Sequence, residues 1–247
     1  MPKIDKSQYT KQQWKIVREE RRNKKRERLI RENTVPLNTL LQTANKGKIG
    51  FVLGNGTSRS SIDVQELQQQ GKTYACNAVY RNGITPDYLV AVDTKMILEI
   101  TSTGYQNNNI VYTNPNKSYS GIKNLNFFNP SKGWSSGPTA LDLASDHGHK
   151  TIYILGFDYQ GMGPEYKRVN NLYSGSPNYK REHDTATYYG NWLRQTTTVF
   201  QKNSEKRYIR VLVNDKGFIP EPFANFGNIS HINMEDFAKS FNFSLSE

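Results

Sequence analysis

"GKIGFVLGNGTSRSSIDVQEL" (residues 47–67) decides the fold. An apolar run from Ile49 to Leu53 meets Gly54-Asn55-Gly56-Thr57-Ser58, and a helical pattern follows from about Asp63 to Gln70. Strand, tight turn and helix in that order form the opening unit of a parallel α/β sheet. The turn is expected to leave backbone N–H groups open at a helix start, where the helix dipole favours an anion, so phosphate is its first candidate ligand. The glycines allow close backbone approach, and Thr57 and Ser58 add caps and hydroxyl donors.

Further units repeat the pattern. "KTYACNAVY" (72–80) reads as a second strand with Asn77 near its carboxyl end, and "PDYLVAVDTKM" (86–96) as a third ending at Asp93 before a helix. "NIVYTN" (109–114) is a fourth, residues 115–132 are polar and turn-rich, and "GPTALDLASDHGH" (137–149) is a helix with proline early in it. "KTIYILGFDY" (150–159) is a buried strand ending at Gly156-Phe157-Asp158, followed by a long Gly/Asn/Pro/Ser loop over 160–180 of the kind that closes over a site. A helix over 183–203, a strand at "RYIRVLVND" (207–215) and a short segment from Met234 complete the chain. Alternation of this kind predicts a doubly wound, mainly parallel, Rossmann-like α/β sheet. Ligands sit outside the carboxyl ends of such strands, where Asn55, Asn77, Asp93 and Asp158 all fall. Asn and Asp also cap helices and make turns, so it is their recurrence at four strand ends that points to a site.

Charge is unevenly spread. Residues 1–34 hold twelve Lys/Arg against five Asp/Glu, so this segment carries +7 of the net +11. "WKIVREERRNKKRERLIREN" (14–33) contains no Pro or Gly and predicts an exposed helix with a thin apolar stripe including Trp14 and Val17. We therefore divide the chain into a basic helical arm and connector (1–46) and a nucleotide-binding domain (47–247). The arm is either a solvated helix or a contact for nucleic acid or another acidic surface, and such a contact would be phosphate-directed and salt-sensitive. With no run of about 18 apolar residues and no apolar leader, the reading is a cytoplasmic protein without a membrane span. The single cysteine, Cys76, agrees with a reducing compartment.

At this point the motifs carry a resemblance. "VLGNGTSRSSIDVQEL", "KTYACNAVYRNGITPDYLVAVD" and "WSSGPTALDLASDHGHKTIYILGFDY" resemble two related groups: bacterial lipooligosaccharide sialyltransferases and 6-hydroxymethylpterin diphosphokinase-like proteins. The matching elements are Gly54-Asn55-Gly56-Thr57-Ser58, Cys76-Asn77, Ser135-Ser136-Gly137 and Gly156-Phe157-Asp158-Tyr159, with His183 in the place of the sialyltransferase base. The chain departs from the sialyltransferase pattern at "PDYLVAVD", where Asp93 looks more like the diphosphokinase-like group. The resemblance implies a nucleotide-dependent transferase, glycosyltransferase-like, that uses a nucleotide-sugar and needs no metal. Its alternative is a Mg²⁺-dependent diphosphokinase in which Asp93 and Asp158 hold the ion against substrate phosphates.

Under the glycosyl-transfer reading, His183 removes the acceptor proton, with Tyr159, Tyr179 and Lys180 or Arg181 nearby. Tyr166, Tyr173, Tyr179 and Tyr188/Tyr189 are candidates for stacking on a base or sugar, or for packing beneath the loop. Ser135 and Ser136 read as helix caps touching ligand, and His147 and His149 as capping or surface residues. A third reading, from another class, is a non-catalytic binding or assembly protein whose working part is the basic arm.

Overall fold

Alternate residues of the first strand, β1 (Ile49–Leu53), serve different cores: Phe51 and Leu53 pack on one face of the sheet and Val52 on the other. The second strand, β2 (Gly71–Cys76), behaves likewise, with Ala75 on the first face and Tyr74 and Cys76 on the second. A strand buried on both sides reads as an apolar run, and helices must cover both faces. The computed structural model describes residues 6–33 and 49–245. It adds β3 (Tyr88–Val90), β4 (Val111–Thr113), β5 (Leu125–Phe127), β6 (Thr151–Leu155), β7 (Arg207–Leu212) and β8 (Ile229–Asn233). All pairings are parallel, and the sheet order is β5-β4-β3-β2-β1-β6-β7-β8.

The helices are α1 (Lys11–Asn33), α2 (Val64–Gln70), α3 (Thr94–Ser102), α4 (Ser136–Asp146), α5 (Gly190–Lys202) and α6 (Met234–Phe241). Val64 and Leu67 of α2, Ile97 and Ile100 of α3 and Phe237 of α6 share the first core. Leu141 and Ala144 of α4 and Val199 and Phe200 of α5 build the second. The fold is therefore a doubly wound, Rossmann-like α/β sheet with an added N-terminal helix. Chain order reverses between β1 and β6, which places the topological switch point, the general ligand position of such sheets, directly above these two strands.

Several expectations change. The short helix and turn read over 34–48 lie outside the described residues. Strand β5 falls in the stretch read as turns, and β8 in the irregular tail; one is only three residues long and the other is a half-exposed edge strand, so neither shows an apolar run. The helix expected from 183 starts at Gly190, because the preceding residues pair with the long loop after β6: Thr185 bridges Arg168, and the Ala186 amide donates to Lys167 O at 2.7 Å. Among the described residues no helix is long and apolar enough to cross a membrane.

His147 and His149 are also not surface residues; they are 2% and 0% exposed. The Tyr74 hydroxyl lies 2.8 Å from His147 Nδ1 and 2.9 Å from His149 Nε2, so one phenol satisfies two buried imidazoles. Burial, with His149 beside it, pushes the His147 imidazole down to about 4 from the ordinary 6.5. An unfolded chain binds a proton here below pH 6.5 while the folded one does not until about 4, so folding stability falls as pH is lowered through this window. The expected loss is about 1.4 kcal/mol per pH unit. Urea titrations of His147→Gln at pH 7, 6 and 5 should show a shallower pH slope than the parent; equal slopes would refute the assignment.

Candidate functional site

The loops after β1 and β6 are stitched together at the switch point. Gly54 N donates to Leu155 O at 2.8 Å and Gly56 N to Gly156 O at 2.9 Å. No side chain fits in this seam: a Cβ on Gly56 would lie 2.3 Å from Asp158 Oδ2 and 2.7 Å from Gly156 O. Gly156 itself has φ of 68°, a left-handed conformation that glycine adopts without a Cβ penalty.

The 54–58 turn consequently differs from a phosphate cradle. The amides of Gly54 and Gly56 are used by the seam, the Thr57 amide donates to Asn170 Oδ1 at 2.9 Å, and the Ser58 amide donates to Asp158 Oδ2 at 3.2 Å. Both hydroxyls are taken as well, Thr57 Oγ1 donating to Asn170 and Ser58 Oγ to Asp158. The anion on this turn is the protein's own Asp158 carboxylate. The chain then makes a single 3₁₀ turn, Thr57–Arg59, and α2 starts only at Val64 with Asp63 accepting from Gln65 N.

Above the seam lies a cleft of about 620 Å³. It brings together Gly54, Asn55, Gly56, Asn77, Asp93, Ser135, Ser136, Gly137, Asp158 and Tyr159. Thr57 and Ser58 do not line it; with Asp158 and Arg210 they face a smaller side cleft of about 170 Å³. His183 is exposed and does not line the cleft. The expected general base is thus displaced from the other site residues, because the chain before α5 is spent in the covering segment.

Each lining residue has a distinct state. Asn77, after β2, sits at φ of 55°, and its Oδ1 accepts from Ser136 Oγ at 2.8 Å, which in turn accepts from Val92 N at 3.1 Å. This chain ties the ends of β2 and β3 to α4 and uses the Ser136 hydroxyl, so of Ser136 itself the backbone amide is what remains for a ligand. The Ser135 side chain does not cap α4, and with Pro138 lacking an N–H and Thr139 N donating to Ser135 O at 3.1 Å, the Ser136 and Gly137 amides are the first-turn donors left at the cleft. Asn55 is 9% exposed; its Nδ2 donates to the Tyr179 hydroxyl at 3.2 Å, and its Oδ1 has no partner. Asp93 is exposed and caps α3 without a side-chain hydrogen bond.

Cys76 lines the cleft but is no nucleophile, since burial pushes its thiol up to about 12. Tyr159, at φ of 53°, donates its hydroxyl to Thr196 Oγ1 at 2.7 Å, and burial raises its pKa. Arg210, 3% exposed, holds this corner by donating to Phe157 O at 2.8 Å and Asp158 O at 3.2 Å. Burial lowers its pKa, yet it stays a cation because arginine starts so high.

A covering segment, 160–189, closes the site. Leu172 N donates to Asn55 O at 2.8 Å, and Arg81 forms a two-point pair with Glu99 while donating to Ser176 Oγ and Pro177 O at 2.7 and 2.8 Å. Tyr188, Tyr189, Trp134 and Trp192 supply an aromatic wall and Lys180 a cation. Trp134, Trp192, Asn170, Arg81 and Arg210 were not legible as site residues, since only tertiary packing brings them here.

Magnesium fits this set poorly as a protein-held ion. Among the described residues no three His, Cys, Asp or Glu side chains converge, and the Asp158 carboxylate is already engaged by Ser58. No protein-family model matches the chain, and no curated protein matches it significantly.

Gly56→Ala should weaken the seam itself, not merely crowd a ligand. We expect a loss of about 1–3 kcal/mol, the usual scale for overpacking, in thermal or urea unfolding. A variant as stable as the parent would show that the seam has slack.

Proposed function

We propose that the cleft binds a nucleotide presented as a nucleotide-sugar, and that the protein is a glycosyltransferase-like enzyme. The observation that carries this reading is the buried, unpartnered Asn55 Oδ1 in the same cleft as the uncapped start of α4. A ligand donor, such as a sugar hydroxyl or an exocyclic amine, satisfies the first. A phosphate satisfies the second, through the Ser136 and Gly137 amides and the helix dipole. The aromatic wall suits a base or sugar ring.

In transfer, a base takes the acceptor hydroxyl proton, the acceptor oxygen bonds to the anomeric carbon, and the carbon–oxygen bond to phosphate breaks with its electron pair leaving on the nucleotide. The α4 terminus stabilises that developing charge. With His183 outside the cleft, Asp93 is the base we favour, because its carboxylate lines the cleft without a cap bond.

Asp93 also supports the diphosphokinase alternative, in which it would hold Mg²⁺ together with substrate phosphate oxygens and water. Calorimetry with cytidine and adenine nucleotides, with and without Mg²⁺, separates the readings. Metal-independent cytidine-nucleotide binding, weakened about tenfold in Asn55→Leu, is expected for loss of one buried hydrogen bond. Asp93→Asn should leave that affinity unchanged and abolish transfer. Mg²⁺-dependent ATP binding lost in Asp93→Asn would establish the alternative, and no nucleotide binding at all would leave the assembly reading.

A further inference from the structure

Lys11, Lys15, Arg18, Arg22 and Lys25 succeed one another along α1 at intervals of four, three, four and three residues. At 3.6 residues per turn they fall within an arc of about 80° and extend over about 21 Å of helix. All five are exposed, and among the described residues none has an ion-pair partner. Trp14, half-buried, borders the stripe, and Val17, also half-buried, lies further round the helix. Glu20 and Glu27 lie across the helix from these cations, and Glu19 stands on the flank of the stripe, about 40° from Lys15. The helix runs beside the edge strand β5, four strands from β1, which is about 19 Å from the switch point at 4.8 Å per strand.

We infer that this stripe docks on the phosphate backbone of double-stranded nucleic acid. A duplex offers one negative charge per about 1.7 Å of its axis, so cations spaced by about 5 Å along a rigid rod each have a phosphate within reach. Lysine and arginine on phosphates fix position without reading sequence. A lipid surface is the poorer fit, because a helix lying in a membrane interface presents apolar residues to the lipid between its flanking cations. Among the described side chains of α1 the exposed large apolar one, Ile16, lies across the helix from the stripe. The inference is independent of the nucleotide cleft and of the reaction performed there.

The test is fluorescence anisotropy of the full chain with a labelled 20-base-pair duplex of arbitrary sequence, titrated between about 50 and 200 mM salt. Five phosphate contacts predict a slope of log K against log salt of about −4.5, which is a loss of about 500-fold over that range. The triple variant Lys15→Glu, Arg18→Glu, Arg22→Glu should cut affinity at least about 100-fold at the lowest salt and flatten the slope to about −2. Lys15→Arg with Lys25→Arg should retain binding, and circular dichroism checks that α1 persists in each variant. Duplex binding unchanged in the triple variant overturns the proposal. So does failure to bind the duplex at about 50 mM, whether or not anionic vesicles or an acidic peptide bind through the same residues.

Discussion

The seam between the β1 and β6 loops is the constraint on which the site depends. Two amide-to-carbonyl bonds, Gly54 to Leu155 and Gly56 to Gly156, join the strands beyond the end of their sheet ladder. The switch point of a doubly wound sheet is normally an open crevice between diverging loops. Closing its floor uses the donors that a phosphate would need, and Asp158 occupies what is left of the turn. A helix start without a side-chain cap does border the cleft at α4. Buried Arg210 braces the same corner through carbonyl oxygens, so its charge supports the Asp158 loop without a carboxylate partner of its own in those contacts.

The covering segment is built as a wall. Gly175 N to Lys180 O at 2.8 Å, the bridges of Arg168 to Met162 and Thr185, and the Arg81–Glu99 pair tie it to itself and to the sheet side. The Tyr179 hydroxyl then receives Asn55 Nδ2 at 3.2 Å and the Ala78 amide at 3.4 Å. Thus the orientation of the Asn55 amide group is set before any ligand arrives, with Oδ1 as the atom left over. Preorganisation of this kind lowers the ordering cost of binding.

Much of the fold was legible because strands buried on both faces leave apolar runs, and the run from Ile49 to Leu53 is one. The switch point is implied by strand–helix alternation, and the strand-end residues Asn55, Asn77, Asp93 and Asp158 do converge on one cleft. What local sequence could not carry was the direction of each group. Gly-Asn-Gly-Thr-Ser has the composition of an anion cradle, yet whether its amides point to a ligand or across a seam depends on a loop about 100 residues away. His183 lies shortly before a helix in sequence, but the pairing of Thr185 and Ala186 with the covering segment keeps it out of the cleft. His147 and His149 flank a glycine as surface residues often do, and it is the distant Tyr74 hydroxyl that meets both rings in the interior.

Unsatisfied buried groups are informative here only when position is added. Arg59 Nη2, Gln106 Oε1, Thr113 Oγ1 and Thr139 Oγ1 are also buried without a partner, so orphan status alone does not mark a site. None of those residues lines the cleft, whereas Asn55 does. An orphan inside a packed core is a stability cost that the surrounding burial outweighs. An orphan that faces a cavity has a different meaning, because a ligand can remove the cost on binding. The left-handed Asn77 and Tyr159 and the uncapped α4 start border the same space. An orphan oxygen, two left-handed non-glycine residues and an uncapped helix start thus border one cavity, whereas the orphan Thr113 Oγ1 stands alone in the sheet, and it is this coincidence that makes the cavity the candidate site.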